Sequence, residues 1–337
     1  MKETIAFDDV LLVPKYSEIL SRKEIDLSVE LGSNFSSMSC PFVSSPMDTV
    51  TEDVMALEMS RQGGLGIIHR YNSIEEQSRL VTKVSSETDK AAAAIGVSGD
   101  FIERALAVYE AGARIICVDV AHGHHSLMRA ALCKLRDTFK DSIHIMAGNV
   151  ATLEGFNDLA DWGANSIRVG IGGGSICSTR IQTGHGVPTL QSVLDCSKTD
   201  REALIIADGG MKSTGDIAKS IAAGADLVMC GSLFAGTEES PGDVFSSSDG
   251  KKYKVYRGMA SVEAQRDWKG SHNSVEGVST TIPYKGKISD IVNLMKKQLS
   301  SACSYSGSYN LKEFRLKREF IIQSSSSQLE SSTHILR

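Results

Sequence analysis

The sequence predicts a (β/α)8 TIM barrel, on three observations. Short apolar runs recur along the chain and close in glycine or polar residues; most lead into a stretch with helical spacing; eight such units precede a break near residue 236. The predicted strands are Phe42–Ser45, Gly66–His69, Ala92–Val97, Arg114–Val118, Ile143–Ala147, Ser166–Val169, Ala203–Ala207 and Leu227–Cys230. A doubly wound open sheet is the alternative, since counting strands does not demonstrate closure, and it places chemistry at the same strand ends.

The helices between them carry their own signals. Ser73-Ile74-Glu75-Glu76 reads as a capping box opening a helix toward Val84. Asp100 is placed to cap the next, whose Phe101, Ala105 and Val108 share one face before Gly112 stops it. Ser213-Thr214-Gly215-Asp216 opens another that ends at Gly224. The alternation then breaks over Gly236–Gly286, a long polar segment with Tyr253–Tyr256 as a short strand, which reads as a flap or lid after the eighth strand. A final helix is expected over Ile288–Leu299, with Ile291, Leu294 and Leu299 apolar. Residues 1–320 thus form a single barrel domain, and the serine-rich tail 321–337 is expected to be disordered.

Composition narrows the function classes. A net charge of -5 gives no basic footprint for nucleic acid. No apolar run reaches membrane-spanning length and Met1-Lys2-Glu3-Thr4 lacks a signal peptide's apolar core, so a cytoplasmic location without membrane attachment is expected. The seven cysteines are scattered without C-x-x-C spacing, which argues against a disulfide framework or a zinc site. Cys117 and Cys230 lie inside apolar runs and are expected in the core, whereas Cys177 sits in a glycine loop.

In a barrel, function gathers at the C-terminal strand ends, and these ends are rich in polar residues. Asp48, Asp119, Asn149 and Asp208 each follow a strand; Gly209-Gly210 and Gly231-Ser232 supply tight turns whose amides suit a phosphate. An aspartate at a strand end is equally a turn or cap residue. His122, His124 and His125 lack a partner at metal-ligand spacing and read as solvated loop residues. The run Arg168-Val169-Gly170-Ile171-Gly172-Gly173-Gly174-Ser175-Ile176-Cys177-Ser178-Thr179-Arg180 is a strand stopping at a glycine loop that presents a cysteine.

That run resembles the active-site loop shared by inosine-monophosphate dehydrogenases and guanosine-monophosphate reductases, and the resemblance extends from about Phe7 to Phe320. It implies that Cys177 attacks C2 of a purine nucleotide. It further implies that Ser45 and Met47 meet the purine and ribose, Asp208 the ribose hydroxyls, and Gly174, Ser175, Gly210, Gly231 and Ser232 the phosphate. Tyr256, Gly258 and Met259 match the family's Tyr-Arg-Gly-Met segment near the nucleotide. Asp119, Ala121, His122, Asn149, Arg168 and Gly170 fall on the cofactor side, and carbonyls of Gly172, Gly174 and Cys177 would hold potassium. A homotetramer is implied by the family alone.

The two reactions of the family share a covalent thioimidate and differ in what meets it. The dehydrogenase hydrolyses it with an Arg-Tyr pair on the flap, and no such pair stands between Ser261 and Glu276. The reductase handles ammonia with a threonine and a glutamate, matched by Thr179 and Glu276. Other segments, Ser44–Val50, Gly66–Arg70 and Phe234–Gly242, look more like the dehydrogenase. The sequence-level expectation is therefore an NADPH-dependent GMP reductase, with IMP dehydrogenase as the alternative and a non-catalytic nucleotide sensor as the second. The choice of NADPH over NADH is not read from the residues.

Overall fold

In the computed structural model, which describes residues 3–32, 34–270, 275–331 and 333, eight parallel strands close into a barrel in chain order. They are Phe42–Ser44, Leu65–Ile68, Ala92–Ile95, Ile115–Asp119, His144–Val150, Ser166–Val169, Leu204–Asp208 and Leu227–Cys230. Closure is explicit: Phe42–Ser44 pairs with Leu65 and Gly66 on one side and with Val228–Cys230 on the other. This removes the open-sheet alternative.

The strands read as unbroken apolar runs because both faces are buried. Val43, Leu65, Ile67, Ala92, Ala94, Cys117, Met146, Ile206 and Met229 point into the barrel, while the residues between them (Phe42, Ile68, Ala93, Val118, Ala147, Ile205, Val228) pack under the helices. Cys117 and Cys230 belong to these two layers as expected, and burial pushes the Cys117 thiol up to about 12.

Helix starts follow the caps in two cases and depart in one. Ser73 and Ser213 accept from the amides of Glu76 and Asp216. Asp100 stands at the cap position, but its carboxylate is taken by Arg104 at 2.8 Å instead of by an amide. The C-terminal helix runs Ile288–Tyr305, longer than expected, and buries Ile288, Val292, Met295, Leu299 and Cys303. Leu294 is exposed, because the stripe that follows the 3.6-residue period passes one position away from it.

The tail corrects the expectation of disorder from residue 321. Phe320–Ile322 pairs antiparallel with Val10–Leu12, and Ser324 caps a short helix, Ser325–Glu330. The apolar triplet finds an edge partner some 300 residues away, which local composition does not reveal. Residues 332 and 334–337 lie outside the described residues.

The segment after the eighth strand folds over the barrel mouth. Phe245–Ser246, Lys252–Arg257 and Ser279–Pro283 form a three-stranded antiparallel sheet, with the helix Val262–Lys269 between its last two strands. The buried Lys254 ammonium donates to carbonyls of Thr237 (3.0 Å) and Ser240, tying this sheet to the barrel's rim.

Candidate active site

The sixth strand ends at Val169, and Gly170 turns the chain across the barrel mouth at φ +149. A Cβ here would lie 2.1 Å from the Asp208 carbonyl, so the glycine is required by close approach. The loop then runs to Cys177, which is half-buried and bridged to Gly277 of the flap. Ser178 N donates to the Glu276 carbonyl at 2.9 Å, and Val278 N to the Ile176 carbonyl at 3.0 Å. The loop is thus joined to the flap by an isolated antiparallel bridge and two backbone hydrogen bonds.

This pairing brings together three side chains that the sequence separates by up to 99 residues. Cys177 Sγ donates to Thr179 Oγ1 at 3.1 Å, and Thr179 Oγ1 donates to Glu276 Oε2 at 2.8 Å. A thiol, a hydroxyl and a carboxylate in series form a path along which a proton can pass.

Behind the loop lies an ion network. Arg168 donates to Asp208 Oδ2 through Nε (3.1 Å) and Nη2 (2.9 Å), and contacts Asp119 with Nη1. Asn149 Nδ2 donates to the same Asp208 oxygen at 2.7 Å and to the Gly170 carbonyl at 2.8 Å. Burial works against the guanidinium's charge, but the two carboxylates outweigh it and hold Arg168 firmly protonated. The network fixes the orientation of both carboxylates at the cavity floor.

The far end of the cavity is built from turns. Gly209 and Gly210 take φ +83 and +82 in succession, and a Cβ on Gly209 would meet Gly174 N at 3.0 Å, so the two glycine loops abut. A Cβ on Gly231 would lie 3.1 Å from Tyr256 Oη, 3.4 Å from Met47 Sδ and 3.5 Å from Ser45 Oγ, which locates these three side chains around one point. Tyr256 is bonded to Ser175, and burial pushes its phenol up to about 12. Met259 Sδ accepts from Asp48 N at 3.4 Å.

These groups enclose a cavity of ≈ 450 Å³, a size suited to a nucleotide. Cys177, Thr179, Glu276, Ser45, Met47, Gly174, Ser175, Asp208, Gly210, Gly231, Ser232, Tyr256, Gly258, Met259, Asp119, Ala121, Asn149, Arg168, Gly170 and Gly172 all line it. Of the residues singled out from the sequence, Asp48 and His122 do not: His122 is exposed, beyond Ala121, its pKa lowered by partial desolvation and by neighbouring histidines. His124 bonds Asp158 at 2.8 Å and His125 caps the helix Ser126–Phe139, so neither is poised for a metal. Beside Gly172, Arg180 donates to the carbonyls of Ile171 (3.2 Å) and Val187 (2.6 Å), bracing the loop with a fixed positive charge.

Sequence reasoning missed one wall of the cavity. Arg70 and Tyr71 after the second strand meet Trp268 of the flap helix, and Arg257 spans Asp48 (2.6 Å) and Asp267 (2.5 Å). The available signal was a tryptophan, one of two in the chain, in an otherwise polar segment.

The model of a family described as "IMP dehydrogenase / GMP reductase domain" matches residues 4–334. The inosine-5'-monophosphate dehydrogenase of Cryptosporidium parvum is 37% identical, over 98% of this chain and 94% of that protein. That of Nitrosopumilus maritimus is 33% identical over 99% and 98%, in an alignment of 471 positions against 337 residues here. The GMP reductase of Leishmania major is 31% identical over 99% and 97%. A solved structure, a cysteine-to-alanine variant of GMP reductase from Trypanosoma brucei in complex with guanosine 5'-monophosphate, superposes with a TM-score of 0.93 at 29% identity, covering 99% of this chain and 98% of that one.

Proposed function

Because this chain belongs to the IMP dehydrogenase / GMP reductase family, oxidoreductases of purine nucleotides, we propose that it converts GMP to IMP and ammonia at the expense of NADPH. The observation that carries this reading is the series Cys177–Thr179–Glu276.

The thiol proton passes through the Thr179 hydroxyl to Glu276, leaving a thiolate and a neutral carboxyl. The thiolate attacks C2 of the purine; the 2-amino group takes the proton back along the same path and leaves as ammonia. Glu276 is again a carboxylate, and Cys177 is joined to C2 as a thioimidate. NADPH supplies the hydride when bound. As C2 accepts it, the C2–S bond breaks with its electron pair returning to sulfur, and IMP departs.

The remaining residues take their roles from position. Ser45, Met47, Gly231, Ser232, Tyr256, Gly258 and Met259 would hold base and phosphate with Gly174, Ser175 and Gly210, and Asp208 the ribose. Asp119, Ala121, Asn149, Arg168 and Gly170 would face the cofactor. That end suits such a group: Arg70, whose Nε has no hydrogen-bond partner among the described residues, lines the cavity there. Carbonyls of Gly172, Gly174 and Cys177, hard oxygen donors, suit a potassium ion that would stiffen the loop. A cytoplasmic homotetramer completes the reading, its assembly checkable by light scattering.

The dehydrogenase is the second reading, favoured by the 37% identity to the Cryptosporidium parvum enzyme. The absence of an Arg-Tyr pair in the flap sequence weighs against it. Purified protein in potassium buffer, assayed for reduced nicotinamide with GMP plus NADPH and with IMP plus NAD, decides. Loss of NADPH with equimolar ammonia supports the reductase, and Glu276→Gln then abolishes ammonia release; NADH formation from IMP overturns it.

A further inference from the structure

One large side chain of the cavity described above, Trp268, has no role in that reading. This side chain comes from the flap helix Val262–Lys269 and lines the same cavity as Cys177. It meets Tyr71 edge to face, with ring centroids 5.1 Å apart at 81°. The Arg70 guanidinium lies 5.6 Å from the Trp268 ring and 5.0 Å from the Tyr71 ring, a cation held against both. The adjoining Asp267 is tied through Arg257 to Asp48 on the barrel, at 2.5 and 2.6 Å. The ring is therefore fixed from two sides on a helix whose Glu263, Arg266 and Asp267 are exposed.

A thioimidate at C2 is electrophilic toward any nucleophile that reaches it. Water is the competitor always present, and a site that must deliver hydride needs a physical barrier to it. We propose that Trp268, seated on Tyr71 and Arg70, is a specificity-determining residue that keeps water from the Cys177 adduct, so that hydride transfer is its only outcome. This rests on the GMP reductase reading. When water enters instead, its oxygen bonds to C2, the C2–S bond breaks toward sulfur, and the released proton restores the thiol. The net change is GMP plus water to XMP plus ammonia, with no oxidant consumed.

The test uses the full chain with GMP, with and without NADPH, measuring ammonia, NADPH oxidation and nucleotide products by chromatography. The unsubstituted protein is expected to release one ammonia per NADPH oxidised and to form only IMP. Trp268→Ala is expected to lose that coupling: ammonia exceeds NADPH oxidised, and the excess appears as XMP. Trp268→Phe, which keeps an aromatic face toward Tyr71, restores coupling, and Arg70→Met, which removes the brace and leaves the ring, uncouples partly. Retention of one-to-one coupling without XMP in folded Trp268→Ala and Arg70→Met overturns the proposal. Absence of ammonia from GMP with the unsubstituted protein overturns the reductase reading first, and this inference with it.

Discussion

His144 starts the fifth barrel strand and is fully buried at the end opposite the active site. Its Nδ1 meets the Leu31 carbonyl at 3.1 Å and its Nε2 the Ser166 hydroxyl at 2.8 Å, with Phe35 edge-on at 5.5 Å. The neutral ring satisfies both contacts, donating to the carbonyl and accepting from the hydroxyl. Burial pushes its pKa down from 6.5 to about 4. A depressed folded value means that the unfolded chain takes up the proton first, so stability is full above pH 6.5 and is lost as pH falls toward 4. At about 1.4 kcal/mol for each unit of separation, the loss approaches roughly 3 kcal/mol, of which about 2 kcal/mol falls between pH values of about 7.5 and 5. His144→Gln removes the titration while keeping a donor and an acceptor. Urea unfolding of both proteins at these two pH values and one protein concentration isolates the effect, since the other titrating groups are common to both. The variant should lose about 2 kcal/mol less than the parent on acidification; a difference below about 0.5 kcal/mol would refute the assignment.

Arg168→Met leaves the half-buried Asp119 and Asp208 without their shared cation and should cost about 3–5 kcal/mol in chemical denaturation; a loss under about 1 kcal/mol would mean that solvent compensates them. Gly170→Ala drives a Cβ to 2.1 Å from the Asp208 carbonyl and should reduce kcat/KM by about 100-fold or more through loop displacement, so near-normal kinetics would contradict the close approach. Deleting residues 320–337 strips the partner from Val10–Leu12 and should lower the Tm by several degrees in calorimetry, whereas an unchanged Tm would make that strand pair dispensable. Ser213→Ala removes the cap on the Asp216 amide and should cost about 1 kcal/mol without touching KM.

The barrel was legible because each of its strands is buried on both faces, so runs such as Ala92–Ile95 stand out as apolar without alternation. The cavity-lining residues were legible for a related reason: strands that end in Asp119, Asp208 or the Gly170 loop must deliver those groups to one rim. What stayed hidden depends on partners distant in sequence. Phe320–Ile322 looks like part of a polar tail until Val10–Leu12 is placed beside it. The Asp100 carboxylate looks like a cap until Arg104, one turn on, claims it. Trp268 stands out locally only as a rare residue in a polar segment, because the Arg70 and Tyr71 that it meets follow the second barrel strand, far away in sequence.

The division of the proton path between two elements carries a kinetic consequence. Cys177 and Thr179 stand on the barrel loop, whereas Glu276 belongs to the flap, and among the described residues the seam between them includes Ser178 N to the Glu276 carbonyl, Val278 N to the Ile176 carbonyl, and the Thr179–Glu276 contact. All three bonds lie within a few residues of one another, so lifting residues 276–278 breaks them together. On the proposed mechanism the acid-base partner and the backbone support of the nucleophile vanish in the same event, so an ajar enzyme is not a slow catalyst but a silent one.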